Sequence, residues 1–181
     1  MIEKIELKDG HYAEIHHDSD VEQPYADDEG VHIVVLHGKY KDPSEGACGK
    51  TPDEVANWEK KNAKSWYTIP LWLYDHSGTA YAVGADNPFS CPWDSGRVGT
   101  IALKRSEWGN GKEADEQMFE YAQNIAKEYS AWANGETYSY NICDENEETI
   151  DSCGGFVGLD IVKAEIELQA ENLLSGPRQS M

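Results

Sequence analysis

Two short elements of nearly the same composition carry most of the chemistry this chain could perform. They are Asp75-His76-Ser77-Gly78 and Trp93-Asp94-Ser95-Gly96, with Cys91 just ahead of the second. Ser77, Ser90, Ser95 or Cys91 could serve as a nucleophile, and His76 as a base that titrates near neutrality. Asp75, Asp94 or the more distant Asp151 could orient that base or bind a metal. The residues for a small hydrolase or a metal-dependent enzyme are therefore present. The motifs that would specify such a reaction are not: the chain holds no Gly-x-Ser-x-Gly elbow, no His-Glu-x-x-His and no Walker sequence. Asp-Ser-Gly is also ordinary turn chemistry, in which Asp and Ser side chains bond nearby backbone amides while Trp93 and Phe89 pack as core.

A second group of residues is defined by charge. Fifteen basic residues face 34 acidic ones, for a net charge of -19. The acids gather at the two ends: residues 1–30 hold 10 acids and 2 bases, 31–100 hold 8 and 7, and 101–181 hold 16 and 6. Such a surface repels phosphates, which argues against direct binding of DNA or RNA; it could attract a protein with a basic groove, or serve solubility or adaptation to high salt. Asp27, Asp28 and Glu29 in the first acidic run, and Glu145, Glu147 and Glu148 in the last, are the candidate binding residues. Asp18, Asp20, Glu22 and Glu29 match positions 1, 3, 5 and 12 of a calcium loop. The frame fails because Gln23 replaces its glycine, Pro24 follows, and neither flank is helical. No metal site and no cofactor is assigned.

The elements that must position these residues follow from pattern. A length of 181 residues suits one domain with a core of its own, and the chain is expected to form a single α+β domain over 1–175 with a loose tail at 176–181. A largely antiparallel sheet with two or three covering helices is expected. Ile2, Ile5 and Leu7 open a strand, Asp9-Gly10 signals a hairpin, and Tyr12, Ala13 and Ile15 continue it. Residues 16–30 read as an exposed acidic loop. His32 to His37 reads as a buried central strand, and Thr51-Pro52-Asp53-Glu54 starts a helix whose inward face includes Val55 and Trp58.

Trp66 to Asp75 carries bulky residues on both faces, the mark of a central strand, with Pro70 indicating a bulge or a nearby edge. His76-Ser77-Gly78 turns it into Thr79–Val83, a loop spans 84–96, and a strand returns over 97–103. Met118, Ala122, Ile125, Tyr129 and Trp132 step by four, three, four and three, which predicts a helix over 113–133 ended by Asn134-Gly135. Thr137 to Cys143 is a strand with Tyr138 and Tyr140 on one face, 144–151 an acidic turn, and 160–174 a helix with Val162, Ile166, Ala170 and Leu173 inward. Because both central turns border the same strands and the Asp151-Ser152-Cys153 motif belongs to the same recurring set, Asp75, His76, Cys91, Trp93, Asp94, Asp151 and Cys153 are expected to gather.

Cys48, Cys91, Cys143 and Cys153 form no Cys-x-x-Cys pair, which fits reduced thiols. No apolar run suits a membrane span, and Met1-Ile2-Glu3-Lys4 lacks the layout of a secretory signal, so a soluble cytoplasmic protein is expected.

Four segments in order, Tyr74-Asp-His-Ser-Gly78, Pro88-Phe-Ser-Cys-x-Trp-Asp-Ser-Gly-x-Val-Gly99, Gly135-Glu-x-Tyr-x-Tyr140 and Asp151-Ser-Cys-x-Gly-Phe-x-Gly158, resemble an uncharacterised family of small proteins borne by phages and plasmids. The likeness covers residues 68–160, about half the chain. It departs at Gly154, where the family carries an aromatic residue. It implies an accessory role in a mobile element, acting in the host cytoplasm, and neither a mechanism nor a catalytic residue. Together with the charge, this gives the expectation of an acidic accessory protein that binds a basic host protein in the manner of an anti-defence factor or a DNA mimic. The alternative is an enzyme built on the Asp75-His76 and Cys91–Asp94 region.

Overall fold

The computed structural model describes residues 1–39, 42–44 and 46–174; the expected tail at 176–181 lies outside them. The fold is α+β, with antiparallel strands throughout. The strands are β1 (Glu3–Glu6), β2 (Tyr12–His17), β3 (Val31–Val35), β4 (Trp66–Asp75), β5 (Thr79–Val83), β6 (Ser95–Lys104), β7 (Thr137–Cys143) and β8 (Thr149–Val157). The helices are α1 (Pro52–Asn62), the single turn α2 (Arg105–Trp108), α3 (Lys112–Ala133) and α4 (Leu159–Leu174). Instead of one shared sheet, the described residues form two, ordered β1-β2-β7-β8 and β3-β6-β4-β5. Each belongs to its own compact unit, residues 1–22 with 135–181 and residues 23–134.

In the unit formed by residues 1–22 and 135–181, Asp9 and Gly10 both adopt positive φ, of 56° and 78°, the left-handed geometry that an Asp-Gly hairpin signal implies. Alternation in β2 and β7 sends Ala13, Ile15, Tyr138, Tyr140 and Ile142 to one face, where Val162 and Ile166 of α4 close the core. Lys163 of α4 pairs with Glu3 of β1 at 2.8 Å. Leu173 differs from expectation and stands exposed, as do Ile161 and Leu168.

In the unit formed by residues 23–134, helices cover both faces of the sheet. Met118, Ala122, Ile125 and Tyr129 of α3 bury against Ile69, Leu71, Leu73, Tyr81 and Ile101. On the opposite face α1 lays Val55 and Trp58 over Val34, Cys48 and Ala102. The α1 start forms as the sequence indicates, with the Glu54 amide donating to Thr51 Oγ1 at 3.3 Å. β4 is central, as its two-sided bulk requires, but β3 is an edge strand. Its apolar run reflects two covered faces, and its free edge is met by a loop. The Ile33 amide donates to Ser44 Oγ at 2.8 Å and the Val35 amide to Asp42 Oδ1 at 3.3 Å, which removes the unpaired groups that make edges sticky.

The bulge signalled by Pro70 is real, though it falls on the partner strand. Leu71 pairs with Gly99 and Trp72 with Arg97, so Val98 is the extra residue. Gly99 sits so close to β3 that a Cβ there would overlap the Val34 carbonyl oxygen. Gly99→Ala is therefore expected to destabilise the protein by more than about 2 kcal/mol, because backbone must move; chemical denaturation measures it, and a loss within error would deny the close approach.

His32 stacks on Trp66, with ring centroids 4.5 Å apart, and burial lowers its pKa. The folded chain thus prefers the neutral ring. As pH falls through the unfolded value of about 6.5, the unfolded chain takes up the proton first, and stability drops until the folded pKa is passed. His32→Gln should flatten the loss of stability between about pH 7 and pH 5, measured by denaturation at several pH values.

Candidate functional site

The pairing of β4 with β6 brings the two central motifs together. Their hairpin and loop meet where the Asp75 amide donates to the Asp94 carbonyl at 3.0 Å. Around this joint, Asp94 Oδ2 accepts from the Cys91 thiol at 3.3 Å and lies 3.6 Å from His76 Nδ1. Asp75 Oδ2 takes the Lys39 ammonium at 2.9 Å. Of the expected cluster, Asp75, His76, Cys91 and Asp94 do converge.

The loop from Gly84 to Asp94 is held by a chain of side-chain bonds. Asn87 Oδ1 accepts from the Phe89 amide at 3.0 Å, while its amide nitrogen donates to Ser95 Oγ at 2.9 Å. The Ser95 hydroxyl in turn donates to the Cys91 carbonyl. Phe89 packs on Tyr74 with centroids 5.6 Å apart, and Trp72 Nε1 donates to the Gly84 carbonyl at 2.9 Å. Ser95 is thus engaged in loop closure and presents no nucleophile. Trp93 is not core: it is 93% exposed.

Chemically, this arrangement places a carboxylate between a thiol and an imidazole. A Cys/His nucleophile pair needs the base on the sulfur, whereas here the thiol proton is given to Asp94. The His76 side chain is 65% exposed, so water reaches the group freely. No group of three or more His, Cys, Asp or Glu among the described residues is placed to hold a metal ion.

Asp151 and Cys153 lie elsewhere. The last motif is not a turn beside the central ones but strand β8 of the other sheet, so likeness of motif does not place Asp151 and Cys153 with the other residues. Asp151 Oδ2 accepts from the Tyr140 hydroxyl at 3.0 Å, and burial together with that carboxylate raises the Tyr140 pKa. Gly154 and Gly155 both stand opposite Ser139, making a bulge, with Gly155 at φ 86°. Asp18 clamps it: its Oδ2 accepts from the Gly155 amide at 2.9 Å. A Cβ at Gly154 would come within 2.6 Å of that same oxygen. The Asp-Ser-Cys-Gly-Gly-Phe motif is therefore explained by strand geometry, and Asp18, which the calcium frame singled out, is a backbone acceptor.

The acidic candidates are placed as follows. Asp27, Asp28 and Glu29 are exposed in the loop before β3, where Asp28 Oδ1 accepts from the Gly30 amide at 2.8 Å. They line a cleft of about 470 Å³ with Gln23, His32 and Ser44. Tyr25, at φ 63°, pins this loop by donating to Glu128 Oε2 at 2.7 Å. Sequence reasoning missed it, since a left-handed tyrosine has no local signal. Glu145, Glu147 and Glu148 occupy the β7–β8 turn, exposed. Asp144 Oδ1 accepts from the Asn146 and Glu148 amides at 2.8 and 2.9 Å, and these bonds hold its pKa below the usual carboxylate value. The first acidic trio belongs to residues 23–134 and the second to the other unit.

Comparison with protein-family models, curated proteins and solved structures finds no match to this chain.

The bracing role of Asn87 is open to a direct check. Asn87→Ala removes two bonds that close the 84–94 loop and should cost about 1–2 kcal/mol. Amide exchange should accelerate at Phe89 while the β4–β6 ladder stays protected; uniform protection throughout would show that the loop does not depend on Asn87.

Proposed function

We propose that this protein is an acidic binding module that docks on a basic surface of a host protein, as an accessory factor of a phage or plasmid. The observation that carries this reading is the partition of charge. Residues 1–22 and 135–181 hold 17 acids and 4 bases, a net of -13, against 17 and 11, a net of -6, in the larger unit. Self-repulsion on that scale works against a compact state. The Glu145, Glu147 and Glu148 side chains stand free on a turn that Asp144 fixes, so the charge is presented on a pre-built support. A partner whose groove normally takes nucleic acid has the matching chemistry.

The test is kinetic. Partners captured from host lysate at about 0.1 M salt should be released at about 1 M, where the screening length shrinks from about 10 Å to about 3 Å. Replacing Glu145, Glu147 and Glu148 by Gln should slow association with a captured partner about tenfold at low salt, while stability changes by less than about 0.5 kcal/mol. Asp27→Asn, Asp28→Asn and Glu29→Gln together report on the other trio. Unchanged association for both sets at low salt would reduce the acidity to solvation and end this reading.

One observation favours a second reading, a small hydrolase or metal-dependent enzyme: Cys91 and His76 meet the same carboxylate. For thiol chemistry a substrate would have to displace the Cys91 to Asp94 bond and let His76 take the proton. Cys91→Ser would then abolish turnover while leaving capture of a basic partner intact.

A further inference from the structure

Among the described residues, Trp93 is the one large aromatic side chain that the fold leaves almost wholly in solvent, at 93% exposure. A tryptophan can bury about 150–250 Å², and here that area is unused. The exposure is not the result of a slack loop. Asn87, Ser95 and the Cys91 carbonyl tie the segment together from within, and Phe89 anchors it on Tyr74. Two prolines, Pro88 and Pro92, restrict it further. The backbone that carries the indole is braced, so binding would order the side chain alone and not the loop.

The charges beside it define what it would meet. Asp75 is neutralised by Lys39, but neither Asp94 nor the exposed Asp86 has a lysine or arginine partner among the described residues. Asp94 uses Oδ2 for Cys91 and His76, and its Oδ1 has no partner among the described residues. An exposed π face and an available carboxylate oxygen in one loop match a planar cation that stacks and donates hydrogen bonds at once. A neutral sugar would use the indole and leave the carboxylates without a counter-charge.

We infer that Trp93 and Asp94 form a guanidinium-recognition point, the short-range anchor for an arginine on the surface of a basic protein. This rests on the proposed reading that the partner is basic, and it adds which of its residues is read. The acidic trios act at long range through charge, and Trp93 acts at contact.

The experiment uses the full chain and fluorescein-labelled hexa-arginine and hexa-lysine peptides, with affinity read by anisotropy at about 0.1 M and about 0.5 M salt. The parent protein should bind hexa-arginine more tightly than hexa-lysine, and the difference should persist at the higher salt. Trp93→Ala should weaken hexa-arginine binding about tenfold and remove the preference, Trp93→Phe should retain most of it, and Asp94→Asn should weaken it less than Trp93→Ala. Since the side chain touches no core, unfolding curves of the Trp93 variants should match the parent. If Trp93→Ala binds hexa-arginine as tightly as the parent, the anchor is refuted while the basic-partner reading stands. If the parent binds neither peptide even at low salt, both fall. Trp93-dependent binding of maltohexaose in place of hexa-arginine would make the loop a sugar platform and overturn the assignment.

Discussion

The pairing of β4 with β6 governs what this chain can display, and its decisive feature is the extra residue at Val98. Side chains alternate along a strand, so a one-residue slip sends every later side chain to the opposite face. Before the bulge, Ile69 and Leu71 face α3 opposite Ile101 and Gly99. Beyond it the register has shifted, and the ladder runs on through Trp72, Leu73 and Tyr74 to the Asp75–Asp94 joint. The shift lets an apolar ladder end in a polar cluster without breaking the core between. Gly99 makes it possible, because only a residue without Cβ lets β6 approach the Val34 carbonyl at this point.

A second constraint concerns how irregular backbone is satisfied. Each long connection in the described residues places a polar side chain on amides that no ladder reaches. Asp42 and Ser44 serve the free edge of β3, Asn87 serves the loop before β6, Asp144 the β7–β8 turn, and Asp18 the bulge in β8. The acidic residues thus fall into two populations. One is made of aspartates consumed as acceptors for backbone, where the short side chain reaches its own or a neighbouring turn. The other is made largely of glutamates, such as Glu145, Glu147 and Glu148, which reach outward and carry the surface charge.

Much of this was legible in the sequence, and the failures share a cause. The helix over Lys112–Ala133 was readable because its apolar period is unbroken, and α1 because Thr51, Pro52 and Glu54 encode a cap locally. The Asp9-Gly10 hairpin and the Pro70 bulge were readable for the same reason, since turn and breaker residues act over a few positions. What could not be read was pairing between distant strands. Val31–Val35 has the same apolar run whether it lies at the centre or at a helix-covered edge. The segment 149–157 reads as a polar motif because its strand character comes from β7 beside it, and its two glycines serve a bulge instead of a turn. Of the candidate site, the meeting of Asp75 with Asp94 followed from strands in one hairpin region, whereas Asp151 was joined to them by similarity of motif, which carries no spatial information. The turn reading of the central motif placed Trp93 in the core, where an aromatic lies on average, but a single residue can depart from that average when its loop is braced from within by other side chains.

The two kinds of surface feature make different demands on a partner. A concentration of carboxylates acts over a screening length and accelerates encounter with any basic body, so it selects by sign and little else. It also works against the stability of the smaller unit, whose main apolar cluster holds seven buried side chains, Tyr138 and Tyr140 the bulkiest. A cost of that kind in so small a core is tolerable for a surface that is occupied, since binding offsets repulsion that the free chain must bear. Discrimination among basic partners needs contact geometry, which flexible glutamates do not provide. On the inference drawn above, the braced loop of the other unit provides it, with an exposed indole on a braced backbone and a carboxylate on the next residue. Under the proposed reading, charge without the anchor would bind many proteins weakly, and the anchor without the charge would meet its target slowly, so the two features would divide encounter from recognition.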